Sequence, residues 1–404
     1  MKISGTTGGN NGAVFLDVFA DAVPDIATNK NIDNLDILVS EVPDIVKPIV
    51  ESVSLNLSTG VLKITASEYL DFIPKENVDL SKFFVSNVTG ENTISLVGAT
   101  IHEVDGNTCT ITLTELQRSL AIAISGTSGG DGGAAILDVY ADGVRDHGEN
   151  TNLNNFGLII TETPDTVLPV LELGLVNYGT GLVTIRSSET IDVTPHEHVD
   201  FSKIYFSNVA GDHHVSLANS KIVSLDMTEI NFTIPELARV KAIAISSTPG
   251  GDDAAVVLDI DAGAVKDIAQ NLNLLTNNIT VIETADTIPP NVVNATLNYS
   301  TGVLIIETDE TIDVTGILRI NLNNLFLSNT VNSREIPLIR SSIVEQDGLA
   351  ITITIPPVDR ANAIALSSTS GGDGTGLRLD VLAAAFHDIG ENNVLEVGLH
   401  SGLS

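Results

Sequence analysis

The sequence predicts an all-β chain of tandem antiparallel sandwiches, with one short helix in each copy. Three observations lead there. The first is a gapless period of 121 residues, which carries Asp44 to Asp165 and Asp286, Asn56 to Asn177 and Asn298, Glu68 to Glu189 and Glu310, and Asp71 to Asp192 and Asp313. A fixed long period means repeated copies of one domain, not one catalytic domain with unique parts. The second is that each period repeats the same short alternating apolar runs, separated by Gly, Asn and Asp turns. The third is composition. Hydrophobic residues make up 43% of the chain, aromatics 4% and Trp none, so each core must be built from Val, Ile, Leu and Ala.

The elements follow in the same order in every copy. Each opens on an acid and a proline, in DIVKP, DTVLP and DTIPP, which makes a short stiff link. After a turn at STG or GTG come VLKIT, LVTIR and VLIIE, whose alternation points Leu62/Ile64, Val183/Ile185 and Leu304/Ile306 at the core. FFVSN, IYFSN and LFLSN form a second strand, and TCTITL, INFTI and AITITI a third. The helix follows in TELQRSLAIA, PELARVKAIA and PPVDRANAIA, started by Thr114 or Pro235 with acids in its first turn. The last strand occurs four times, as LDVFADAVPD, LDVYADGVRD, LDIDAGAVKD and LDVLAAAFHD. In its first copy Val14, Leu16, Val18 and Ala20 share one face, and Phe15, Asp17 and Phe19 the other.

The fourth copy of that strand sets the domain boundaries. Residues 1–40 match only the closing part of a unit, so they form a partial repeat. Complete repeats run over 43–161, 164–282 and 285–398, and 399–404 are a tail. Residues 1–40 hold last strands with no earlier ones to pair with, so their apolar face has no sandwich of its own to enter.

Charge narrows the function. The net charge is −33, from 52 acids against 19 Lys and Arg. That excludes a general nucleic-acid binder, which needs a basic footprint, and disfavours an anionic membrane surface. The acids recur at fixed places rather than in runs, which leaves either solvated, mutually repelling surfaces or convergent cation sites. Cys109 is the only cysteine, so there is no intrachain disulfide, and its place in the alternating CTITL reads as a small buried hydrophobe. MKISGTTGGNNG has no basic start followed by an apolar run, and no stretch approaches the length of a membrane span.

The opening D-x-x-x-P, the T-G-x-L-x-I run, S-E-x-x-D and a closing D-x-x-x-N together resemble bacterial and archaeal Ig-like repeats of S-layer proteins and large surface adhesins. The closing motif is DIATN at 25–29, DHGEN at 146–150, DIAQN at 267–271 and DIGEN at 388–392. The second copy departs at His147 and Gly148, and Asp309 replaces the Ser before Glu310. The resemblance implies Ig-like sandwiches, an extracellular location, and a structural rather than enzymatic role. It also implies self-association or neighbouring repeats of a longer chain as partners.

In an Ig-like sandwich the three acidic motifs fall at the same end of the domain, which makes each junction a candidate Ca²⁺ site. The residues are Glu41, Asp44, Glu68, Asp71, Asp146 and Asn150 in the first repeat. They are Glu162, Asp165, Glu189, Asp192, Asp267 and Asn271 in the second, and Glu283, Asp286, Glu310, Asp313, Asp388 and Asn392 in the third. A hard cation takes six to eight oxygens, which carboxylates and an amide carbonyl can supply. The plain alternative is that Asp and Asn cap turns and Glu is solvated.

Other features point to structure. Asp17, Asp138, Asp259 and Asp380 lie mid-strand, and Arg118, Arg239 and Arg360 share the period, so a helix-to-strand ion pair is expected. His196, His198, His213 and His214 occur in one repeat and read as surface loop histidines. The Gly-rich SGTTGGNNG, SGTSGGDGG, SSTPGGDDA and SSTSGGDGT lack the lysine and helix of a phosphate loop, and read as turns into the LDV strand. Besides the structural array, a ligand-binding adhesin and accessory repeats of a larger secreted enzyme are the competing functions.

Overall fold

The computed structural model describes residues 3–102, 104–316, 319–330 and 333–398. The tail assigned to 399–404 lies outside the described residues. The chain forms two compact units. One is residues 1–168 with 267–271, and the other is 169–266 with 272–404.

The first unit begins with β1 (Phe15–Val18) and β2 (Asn34–Leu38), a hairpin that among the described residues pairs only with itself. Then come β3 (Val50–Asn56), β4 (Val61–Leu70), β5 (Phe83–Ser86), β6 (Ile94–Ser95), β7 (Thr100–Ile101) and β8 (Gly106–Thr112). Helix α1 (Glu115–Ala123), β9 (Ile136–Val139) and β10 (Asn155–Thr163) complete the repeat. The strand order is β6-β5-β9-β10-β3-β4-β8-β7. β10 joins the two layers. Its first residues pair antiparallel with β9, Leu158 opposite Leu137, and its last run parallel to β3, Ile160 opposite Val53 through Thr163 opposite Asn56. Leu55, Leu62, Ile64, Cys109 and Ile111 from one layer meet Phe83, Val85, Leu137 and Val139 from the other. Each such side chain contributes about 1.5–3 kcal/mol on burial. Burial also pushes the Cys109 thiol up to about 12, so it packs as a hydrophobe.

The second unit repeats this plan with β11 (Leu171–Asn177), β12 (Leu182–Ile191), β13 (Ile204–Ser207), β14 (Val215–Ser216), β15 (Lys221–Ile222) and β16 (Met227–Thr233). Helix α2 (Glu236–Ala244), β17 (Val257–Ile260) and β18 (Thr276–Thr284) follow, and β18 runs parallel to β11. The third repeat has β19 (Val292–Asn298), β20 (Val303–Ile312), β21 (Leu325–Ser328), β22 (Ile336–Pro337), β23 (Ser342–Ile343) and β24 (Gly348–Thr354). Helix α3 (Pro357–Ala365), β25 (Arg378–Val381) and β26 (Val397–Gly398) end it. Here the layers are two separate four-stranded sheets, β19-β20-β24-β23 and β22-β21-β25-β26. Among the described residues no strand pairs with the outer edge of β19.

These are antiparallel β-sandwiches of the Ig-like kind, one short helix in each. Leu62, Ile64, Val183, Ile185, Leu304 and Ile306 are all buried, as the alternation requires. Thr114 caps α1 through a capping box with Gln117, while Pro235 and Pro356 stand before α2 and α3. The last strand departs from simple alternation. Every residue of β9 is buried, and the strand lies between β5 and β10 in its sheet. In the lone hairpin the same positions are open: Leu16 is 51% exposed and Val23 58%, against 0% for Leu137 and 3% for Val144.

The ion pair expected between helix and strand does not form. Asp138 instead accepts from the backbone N–H groups of Gly90 (2.6 Å) and Gly157 (2.7 Å). Asp259 accepts likewise from Gly211 (2.8 Å) and Asn278 (3.1 Å), and Asp17 from Asp36 (2.8 Å). Asp380 accepts from the Ser328 hydroxyl at 2.8 Å. A buried carboxylate is satisfied by directed donors, and for Asp138 and Asp259 a turn and the neighbouring strand supply them without an arginine.

Candidate functional site

The closing D-x-x-x-N loop is a self-contained turn. The Asn150 backbone N–H donates to Asp146 Oδ1 (2.9 Å) and its side-chain amide to Oδ2 (3.0 Å). Asn271 does the same to Asp267 at 2.8 and 2.9 Å, and Asn392 to Asp388 at 2.8 and 3.1 Å. The Asn150 amide also reaches the Asp44 carbonyl at 3.3 Å, so loop and linker are tied. With Glu68 at the end of β4, the three motifs converge: oxygens of Asp44, Glu68 and Asp146 lie within 4.8 Å of one another. Asp286, Glu310 and Asp388 form the equivalent set in the second unit. Asp165 and Asp267 are both buried, as is Glu189 on β12.

The triads differ in what neutralises them. Arg239 of α2 is gripped by Glu236 through Nε (2.7 Å) and Nη2 (2.9 Å). Its Nη1 donates to Asp286 (2.7 Å) and the Tyr178 carbonyl (3.0 Å), and Nη2 to Glu310 (3.1 Å). Glu236 in turn accepts from the Thr311 backbone N–H at 2.9 Å. A planar guanidinium with five donors suits such a cluster. Burial raises the Glu236 carboxyl, yet the hydrogen bond and charge of Arg239 hold it below its usual value. Glu310 is pushed up to about 7, first by burial and then by Asp286 and Asp388, against the pull of Arg239. Arg118 makes the matching set in the first unit, to Glu115 (2.7 and 2.8 Å), Asp165 (2.6 Å) and the Leu57 carbonyl (2.9 Å).

No guanidinium is bonded to Asp44, Glu68 or Asp146 among the described residues. Burial raises the Glu68 carboxyl, and the charges of Asp146 and Asp44 raise it further. Its Oε1 is buried without a hydrogen-bond partner. A cation there would supply what Arg239 supplies to its own triad.

The remaining acids lie apart from the triads. Asp71 is bonded by Arg145 (3.1 Å), in a group that also holds Asp105 and His147. Asp192 meets His198 (2.8 Å) and Lys266 (3.7 Å), and Asp313 meets Arg319 (3.2 Å). Glu41 accepts from the Ser4 hydroxyl (2.6 Å) and the Gly5 N–H (3.0 Å), and Glu162 from the Gly126 and Ala135 N–H groups at 2.9 Å each. Glu283 accepts from the hydroxyls of Tyr178 (2.8 Å) and Ser247 (2.7 Å). These glutamates brace the Gly-rich loops. Residues His196–His198 form a 3-10 turn, and His213 bonds Asp261 at 3.1 Å.

The glycine loops carry a role that sequence reasoning missed. A Cβ on Gly8 would lie 1.8 Å from the His147 carbonyl oxygen, and on Gly129 1.9 Å from that of Ile268. On Gly250 it would lie 1.9 Å from that of Ile389. Each loop therefore presses bare backbone onto the D-x-x-x-N loop of the following repeat. The arginines were visible as a period, but their partners were not. Arg118 and Asp165 are 47 residues apart, and only the fold brings them together.

No family model matches the sequence, and no curated protein matches it. Among solved structures the chain is similar to one titled for Dscam isoform specificity, at 8% identity and TM-score 0.18, over 90% of this chain and 78% of that one. It is also similar to the S-layer protein rSbsC(31-844), at 11% identity and TM-score 0.21, over 89% of this chain and 54% of that one. A marsupial T cell receptor matches at 12% identity and TM-score 0.14, over 82% and 96%. No helix among the described residues is long and apolar enough to cross a membrane.

Proposed function

We propose that this chain is a structural segment of an extracellular, cell-surface array, an S-layer, filament or adhesin stalk, built of Ig-like repeats locked at their junctions. The observation that carries this reading is the shared junction. Arg239 of one repeat enters the Asp286 and Glu310 carboxylates of the next, while Gly250 seats on the next repeat's closing loop. Such a joint resists bending without any substrate, which is the property a load-bearing array needs. The motifs shared with S-layer and adhesin repeats support the same reading.

The same chemistry assigns Ca²⁺ to Asp44, Glu68 and Asp146, where carboxylates converge without a guanidinium. A cation bound only by the folded state stabilises it by mass action. Melting the protein with Ca²⁺ and with chelator tests this. The first repeat is expected to melt higher with Ca²⁺, and Glu68→Gln to remove the gain. An unmoved melting curve and no heat of binding in calorimetry overturn the cation assignment. For the location, protease treatment of intact producing cells should cleave the chain, and full protection until lysis rejects a surface role.

A further inference from the structure

The first repeat differs from the others at one place in its closing loop, and we propose that Asp71, Asp105 and His147 there hold a divalent transition ion of the Zn²⁺ class. Asp71 follows directly on β4, Asp105 stands just before β8, and His147 lies in the D-x-x-x-N loop. The fold brings one ligand atom of each within 4.8 Å of the other two. Asp71 is buried, while Asp105 and His147 are partly exposed, so an ion can reach them.

The repeats supply their own comparison. Asp105, Asp226 and Asp347 each accept a backbone N–H at 2.8 Å, from Phe72, Val193 and Val314, so this acid braces the chain just past β4, β12 and β20 in every copy. Asp71, Asp192 and Asp313 recur in the same way. The histidine does not. Its period position is Ile26, Ile268 and Ile389 in the other copies, and that of Tyr69 is Thr190 and Thr311. In the first repeat the Tyr69 ring stacks on the His147 imidazole, with centroids 5.9 Å apart and planes at 23°. A histidine and the aromatic ring that orients it thus occur together, beside two acids already in place. Among the described residues the second and third repeats form no such group of two aspartates and a histidine.

The imidazole lacks the partners of a structural histidine. Its Nδ1 is buried with no hydrogen bond among the described residues, and its Nε2 stands 3.6 Å from Asp105 Oδ2, too far for one. Two atoms bound at about 2.1 Å to one tetrahedral ion lie about 3.4 Å apart, close to that spacing. One nitrogen beside two carboxylates also selects the ion. Ca²⁺ takes oxygen ligands, whereas Zn²⁺ takes imidazole and carboxylate together. Arg145 bonds Asp71 Oδ2 at 3.1 Å, so an ion shares that carboxylate with a guanidinium. Two carboxylates against one guanidinium leave a negative charge that a divalent ion offsets. Once bound, the ion ties the closing loop to the ends of β4 and β8.

The site is distinct from the Asp44, Glu68 and Asp146 triad, which offers only oxygens. Calorimetric titration of the full chain with Zn²⁺, in saturating Ca²⁺, tests it. Zn²⁺ is expected to bind, and His147→Ile, which installs the residue of the other copies, to weaken binding roughly tenfold or more. Asp105→Asn, which keeps an acceptor for the Phe72 N–H, is expected to do the same. Glu68→Gln and His198→Gln are expected to leave Zn²⁺ affinity unchanged. Co²⁺ used as a probe is expected to show visible absorption bands that His147→Ile removes. Melting without metal establishes that the variants stay folded. Absence of Zn²⁺ binding, displacement of Zn²⁺ by Ca²⁺, or affinity unchanged by either His147→Ile or Asp105→Asn each overturns the site. Loss of binding in His198→Gln also overturns it, and places the ion on the second repeat's histidines instead. None of these outcomes bears on the Arg239 lock or on the reading of the chain as an array.

Discussion

At the scale of single residues, the junction is governed by one buried guanidinium and the acids around it. Arg239 is almost fully buried, and so is Asp286. Taking away one partner of such a pair leaves a charge without compensation, at a cost of about 3–5 kcal/mol. Arg239→Ala is therefore expected to destabilise the third repeat strongly. Asp286→Ala added to it should cost much less than the sum, which a double-mutant cycle in urea measures; simple additivity would show that the pair does not hold the joint. Glu310 sets the pH dependence. Its folded value of about 7 stands above the ordinary 4.5, so the folded state holds the extra proton between these values. Stability from this group is full below pH 4.5 and is lost as pH rises through 7. Glu310→Gln is expected to raise the melting temperature at pH 8 by about 2–4 °C and to change it little at pH 4. An equal shift at both pH values would reject the assignment.

At the scale of elements, the Gly-rich loop and the last strand each depend on backbone that a side chain would spoil. Gly250 has φ +85° and lies against the Ile389 carbonyl, whereas at Gly371, φ +95°, a Cβ would meet only the Ile364 methyl, at an ordinary 3.7 Å. Gly371→Ala is expected to cost only the left-handed strain, about 1–2 kcal/mol. Gly250→Ala should cost clearly more, because the loop must also lift from its neighbour. Equal costs, read from urea melts, would mean that the loop contact contributes nothing. The buried strand β9 is held by Asp138 and the two N–H groups that it accepts from. Asp138→Ala leaves both donors unsatisfied and is expected to destabilise the first repeat by about 2–4 kcal/mol. Asp138→Asn, which keeps one acceptor oxygen, should lose less.

At the scale of the whole molecule, the same residues behave differently according to whether the rest of their repeat surrounds them. Leu137 and Val139 are sealed in a core, while Leu16 and Phe15 are half exposed in an isolated hairpin. Hydrogen exchange of dilute monomer should show residues 15–38 exchanging orders of magnitude faster than 136–159, their period equivalents. Similar protection in the two segments would contradict the exposed hairpin.

The sequence by itself determined the period, the sandwich class, the core faces of β4, β12 and β20, and the helix starts at Thr114 and Pro235. Those features are local. Alternation, turn residues and capping residues act within a few positions, and a gapless repeat states them three times. The convergence of Asp44, Glu68 and Asp146 was also legible once the fold class placed their loops at one end. Only the tertiary structure decided which charges meet. It sent Arg118 and Arg239 to the next linker acid rather than to the mid-strand Asp, and moved Asp71, Asp192 and Asp313 into separate groups. It also gave Gly8, Gly129 and Gly250 a packing role. Pairing of charges and close approach of backbones depend on a few ångströms between segments distant in the chain, and periodicity along a sequence carries no record of that distance.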